Sequence, residues 1–253
     1  MLSGIITGLL LPFVGTALGS SAVFIMKKNS RASMSDCLAG FAGGVMLAAS
    51  VWSLLIPAIE QSASMGRLAF IPSSAGFLLG IAFMLLCERL IERFSFGESL
   101  AGAKSGLVTA FAVTVHNFPE GMAVGMVYAA LLSGADRSAL VGALSLSIGI
   151  AVQNIPEGAI VSLPLFSSGK RRGKAFACGV LSGAVEPVAA LVTLLCVRLF
   201  SPLMAYFLSF AAGAMVFVVM QELSEEMKGE KGRGMLFFAI GFAVMMSLDV
   251  GLG

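Results

Sequence analysis

Eight stretches of this chain, near residues 2–26, 36–59, 69–91, 103–131, 138–165, 175–199, 201–226 and 233–252, stay apolar for long enough to cross a bilayer as helices, which takes about 20 residues each. In hydrocarbon every backbone N–H and C=O must find its partner within the protein, so only helices and closed barrels span a membrane. None of the eight stretches alternates polar and apolar residues as a barrel strand does. Only 12% of the residues are charged, about half the share in a soluble domain. The sequence therefore predicts an all-α polytopic membrane protein of eight transmembrane helices, with residues 1–253 as a single transmembrane domain. The opening MLSGIITGLLLP carries no basic residue ahead of an apolar run that continues to Met26, and reads as the first span rather than as a cleaved leader.

Orientation follows from the loops. Thirteen Lys and Arg residues fall on the side reached after the first span, against Arg67, Arg137 and Arg198 on the other. The positive side faces the cytoplasm, so both termini are expected to be extracytoplasmic. A net charge of +2 without a basic stripe argues against a nucleic-acid partner. Cys37, Cys87, Cys178 and Cys196 form no C-x-x-C and read as free thiols within apolar surroundings. Glycines in small-xxx-small spacing, such as Gly15 with Gly19, Gly40 with Gly44 and Gly121 with Gly125, let helix backbones approach closely. That pattern favours packing inside one bundle and leaves a homodimer open.

Two hexapeptides break the apolar background: HNFPEG at 116–121 and QNIPEG at 153–158. Together with Glu186 in span six they place three carboxylates deep in the membrane, each costing at least about 2.5–3.5 kcal/mol as a charge. A proton could neutralise one of them; a dication could neutralise two at once. His116 with Glu120, and Gln153 with Glu157, are four residues apart and share a helix face. Asn117 and Asn154 sit on the flank of that face. Carboxylate and amide oxygens with one imidazole suit zinc, iron, manganese or cadmium. Pro119, Pro156 and Pro187 each remove a backbone donor beside a glutamate, and are expected to loosen their helices there.

The paired HN-x-PEG and x-N-x-PEG motifs, in this order and on this topology, resemble the ZIP family (Zrt- and Irt-like proteins) of divalent metal transporters, especially its compact bacterial members. The resemblance implies a multi-pass protein of the cell (inner) membrane that carries divalent metal, zinc with cadmium, iron or manganese, into the cytoplasm. It implies no enzyme activity and no prosthetic group, the metal being cargo. It implies a binuclear centre: one site of His116, Glu120, Gln153 and Glu157 with Met46, and another of Asn117, Asn154 and Glu186, with Glu120 and Glu157 bridging. It implies an elevator-like or rocking motion of spans one, four, five and six against the rest. Ser53 and Glu60 are placed on the outer transport pathway, Gln221 and Glu222 on the inner one, and Asp249 has no assigned role. Two departures stand out: Gln153 occupies a place where histidine is frequent, and no histidine-rich loop joins spans three and four.

Two rival functions bear on the same residues. A zinc metalloenzyme of the H-E-x-x-H kind needs two imidazoles, and the chain has one histidine. A proton-coupled carrier of a small organic solute is the remaining alternative; it would use the same broken helices, but lacks a cationic partner or an aromatic wall.

Overall fold

The computed structural model describes residues 2–25, 32–95, 103–132, 137–200, 203–226 and 232–252. Along this part of the chain the structure is helical. We label the helices α1 (Leu2–Ser20, continued by Ala22–Ile25), α2 (Ala32–Ala49, a π-helical turn Ser50–Leu55, then Ile56–Gln61), α3 (Phe70–Ser95) and α4 (Ala103–Leu132). They are followed by α5 (Arg137–Ser167), α6 (Arg172–Gly183, then Val185–Phe200), α7 (Met204–Glu226) and α8 (Arg233–Leu252). Among the described residues, seven stretches are long and apolar enough to cross a membrane. The remaining expected span is α4, a 30-residue helix at the expected place. The outer faces suit lipid, since Leu78, Leu181, Leu195 and Met235 are each more than 60% exposed.

Where the helices break is not where the motif prolines suggested. Both α4 and α5 run on as α-helix through Pro119 and Pro156. A proline removes one hydrogen bond, and the helical turns continue on either side of it. The expected loosening beside Pro187 is present, as an interruption at Ala184 just before Glu186, and further interruptions fall at Ser21 and in α2. In α2, Pro57 has no N–H to offer the turn before it. That turn widens, with the Ile56 N–H donating to the Val51 carbonyl, while the Ser50 hydroxyl donates to the Met46 carbonyl at 2.7 Å.

The most extensive helix contacts pair α2 with α8, α1 with α5, α3 with α7 and α4 with α6. Glycines explain the closeness. A methyl placed on Gly15 would lie 2.1 Å from the Ala151 carbonyl oxygen, one on Gly44 2.0 Å from that of Phe238, and one on Gly80 2.1 Å from that of Phe210. Such backbone-to-backbone glycine contacts fall within two sets, α1, α4, α5 and α6 on one hand and α2, α3, α7 and α8 on the other. Between the sets, Gly149 meets the flexible side chain of Met245 rather than a backbone. One apolar core nonetheless runs through both sets, and includes Met46, Met126, Leu146, Leu208 and Met215.

Candidate metal centre

The centre of the first set is polar and buried. Asn117 and Glu120 come from α4, Gln153, Asn154 and Glu157 from α5, and Glu186 from α6; all are buried, none more than 6% exposed. Their hydrogen bonds cross between helices. Gln153 Nε2 donates to Glu120 Oε1 at 2.7 Å. Asn117 Nδ2 donates to Glu186 Oε1 at 2.8 Å, and Asn154 Nδ2 to Glu186 Oε2 at 2.8 Å. Glu157 lies one turn beyond Gln153 on α5 and is buried as well. The structure thus gathers the residues as a Glu120–Gln153 pair and a Glu186–Asn117–Asn154 group.

Donors and acceptors are unevenly used. In each amide the nitrogen holds a carboxylate, while the oxygens Asn117 Oδ1, Gln153 Oε1 and Asn154 Oδ1 are buried and have no hydrogen-bond partner among the described residues. A buried acceptor without a donor costs about 1–3 kcal/mol. Among the described residues no three His, Cys, Asp or Glu side chains form a metal-holding group by themselves. Among the described residues, a bound cation would be met by amide oxygen along with carboxylate. Anions and hydrogen-bond acceptors are disfavoured; a cation relieves the idle oxygens.

The glycine that ends each hexapeptide acquires a reason. A methyl on Gly121 would meet the Glu186 backbone, with its carbonyl oxygen at 2.3 Å. One on Gly158 would meet the Thr16 carbonyl oxygen at 2.1 Å. One motif glycine therefore lets α4 reach α6, and the other lets α5 reach α1. Residues 116–121 and 153–158 repeat because each must carry polar groups and also present a bare backbone to a neighbour.

Other expected positions are distributed as follows. Met46 is 1% exposed and lies in the apolar core. His116 is on α4, but its side chain lies outside the described residues, as does that of Glu222 on α7. Ser53, in the π-helical turn, donates to Asp249 Oδ1 at 2.7 Å. Both line a cavity of about 250 Å³ with Trp52, Gln61, Met126 and Leu146. Glu60 is exposed and does not line it; its neighbour Gln61 does. Gln221 Nε2 donates to Glu88 Oε1 at 2.7 Å, joining α7 to α3.

Sequence reasoning missed three of these partners. From sequence alone Asp249 has no assigned role, Glu88 is one acidic residue towards a helix end, and Thr16 is one residue of an apolar span. Thr16 Oγ1 lies 3.0 Å from Glu186 Oε1. The available signal was weak: a polar residue in mid-span, in the run VGTALGS.

A buried polar centre within a bundle of membrane-length helices marks a functional site inside the membrane, of the kind a transporter has. Comparison with known sequences then gives the family. The family model described as ZIP Zinc transporter matches residues 97–249. The chain is 37% identical to the zinc transporter ZIP11 of Xenopus tropicalis, over 97% of this chain and 96% of that protein. It is 34% identical to the zinc transporter GufA of Myxococcus xanthus, over 96% and 97%. It is 34% identical to the zinc transporter ZIPB of Bordetella bronchiseptica, over 95% and 79%. The frog alignment occupies 327 positions against 257 for GufA, so the frog protein carries inserted residues that this chain lacks. This chain belongs to the ZIP zinc transporter family; it is a multi-pass membrane protein and a transporter, not an enzyme.

Proposed function

We propose that the protein carries divalent metal, zinc first and cadmium, iron or manganese as well, across the cell (inner) membrane into the cytoplasm. The path runs through a binuclear site of His116, Asn117, Glu120, Gln153, Asn154, Glu157 and Glu186, with Met46 at its edge. The observation that carries this reading is the set of idle amide oxygens among buried carboxylates. A dication offsets several negative groups at once and gives several of those oxygens a partner, whereas a proton neutralises one carboxylate and its O–H can serve at most one amide oxygen.

The rest of the path follows from helix geometry. At roughly 1.5 Å per residue, Met126, Leu146 and Ser53 lie about 10 Å along their helices from Glu120, Gln153 and Met46. With eight spans and both termini outside, all three displacements run towards the exterior. The cavity beside Asp249 then receives the ion, and Gln221 with Glu88 lies on the cytoplasmic side, where Glu222 follows on the same helix. The division of glycine contacts supports movement of α1, α4, α5 and α6 against the other set. Locked backbones would travel together, and methionine side chains would yield at the seam. Residues 1–253 act as one transmembrane unit.

Uptake into liposomes holding purified protein tests this. Zinc flux should be lost in Glu157→Ala and reduced in His116→Ala. Unchanged flux of zinc, cadmium, manganese and iron in both variants would overturn the site. Uptake of an organic solute without any metal flux would replace the metal reading with a proton-coupled carrier.

A further inference from the structure

Helix α1 contributes one side chain to the polar centre, and the fold makes room for it. Thr16 is fully buried, and its hydroxyl lies 3.0 Å from Glu186 Oε1. Its other acceptor, the Pro12 carbonyl one turn back, is 3.4 Å away. A hydroxyl has one proton to give, and the shorter, charge-assisted bond to the carboxylate is the stronger of the two. Space for the side chain comes from Gly183, three residues before Glu186 on the same face of α6. A methyl there would sit 2.7 Å from Thr16 Cβ and Cγ2. The α6 backbone breaks at Ala184 between the two, so the notch and the carboxylate are presented together.

The arrangement divides the two carboxylate oxygens. Among the described residues, Glu186 Oε1 accepts from both Thr16 and Asn117, while Oε2 accepts from Asn154. A carboxylate offers about four lone-pair positions. Oε1 is therefore filled by neutral donors, and Oε2 keeps the open position. Because Asn117 and Asn154 come from α4 and α5, Thr16 is the donor that fixes the Glu186 carboxylate from the opposite helix, α1.

We propose that Thr16 is a positioning residue for metal transport: its hydroxyl pins Glu186 Oε1 so that Oε2 is the atom turned to the ion. This rests on the reading of Glu186 as a metal ligand. It adds to the metal site a side chain from a helix that carries none of the motif residues, and it assigns the hydroxyl, not the bulk of the side chain, as the working part.

The test is zinc uptake by purified protein in liposomes, with Thr16→Val, Thr16→Ser and Glu186→Gln in one series. Valine keeps the shape and removes the hydroxyl; serine does the reverse. Loss of a hydrogen bond to a charged group predicts about a tenfold rise in apparent KM for Thr16→Val, with a smaller change in maximal rate. Thr16→Ser should restore KM to within about twofold, within the spread of a lost packing contact. A side chain that merely fills the notch gives the opposite order, serine worse than valine, and that result overturns the proposal. Normal uptake in Thr16→Val also overturns it, provided Glu186→Gln is impaired. If Glu186→Gln is itself normal, the assignment of Glu186 fails and this proposal with it. Should Thr16→Val fail to fold, Thr16→Ala tested against Thr16→Ser in zinc-dependent thermal stabilisation of the detergent-solubilised protein gives the same comparison: a zinc-induced shift equal in the two overturns the proposal.

Discussion

The substitution Gly121→Ala tests whether the motif glycine is there for a helix contact. The new methyl would lie 2.3 Å from the Glu186 carbonyl oxygen and 2.8 Å from its Cα, where ordinary contact begins near 3.4 Å. Both obstacles are backbone, so no side-chain rotation relieves them. Helix α6 must retreat by about 1 Å on that measure, and the Asn117–Glu186 bond of 2.8 Å stretches past the 3.5 Å at which it stops being one. Overpacking costs about 1–3 kcal/mol. Losing a bond to a charged group adds about 1.5–3 kcal/mol. Alanine's better helix propensity returns about 1 kcal/mol. The net loss is about 3 kcal/mol at mid-range, a factor on the order of 100 in the folding equilibrium. Unfolding of the purified protein by SDS in mixed micelles, followed by circular dichroism, reads this directly, with zinc uptake measured alongside. Gly4→Ala is the control, because a methyl there meets nothing within 4 Å and should leave stability equal or slightly raised. If Gly121→Ala unfolds at the same SDS fraction as the parent and transports zinc at the same rate, the contact explanation of the motif glycines is wrong.

Two further substitutions follow from the proposed path. Gln153→His should raise the preference for zinc over manganese severalfold in competition uptake, since imidazole nitrogen suits zinc better than amide oxygen does. The ring can also keep the donation to Glu120 that Gln153 now makes at 2.7 Å. Asp249→Asn can still accept the Ser53 hydroxyl but loses its charge. It should raise KM for zinc severalfold with little change in maximal rate, and the difference should shrink in high salt as attraction across the cavity is screened. A fall in maximal rate alone would place Asp249 in the movement rather than in capture.

The helices were legible because their signal is local. Twenty apolar residues in a row need no partner elsewhere in the chain to be recognised, and the expected 103–131 and 233–252 correspond closely to Ala103–Leu132 and Arg233–Leu252. The polar residues of the two hexapeptides were legible for the opposite reason, since carboxylate and amide in hydrocarbon demand an explanation wherever they lie. The expected loosening at Pro119 and Pro156 failed on a subtler point. Sequence shows that a donor is absent, but not whether neighbouring turns absorb the loss, and in α4 and α5 they do.

What could not be read is pairing across the chain. Ser53 meets Asp249 196 positions away, and Thr16 meets Glu186 170 positions away. Taken singly, a threonine or serine in a membrane helix is unremarkable, because it can return its hydroxyl to the carbonyl four residues back, as Ser20 does at 2.8 Å and Ser209 at 2.7 Å. Only the packing tells which hydroxyls have turned away from their own helix to serve another. In this chain the glycines decide that. Gly183 opens the notch that Thr16 occupies, and Gly121 and Gly158 bring α4 and α5 against the helices that bear Glu186 and Thr16. The small residues, which carry no chemistry of their own, therefore fix where the chemistry converges.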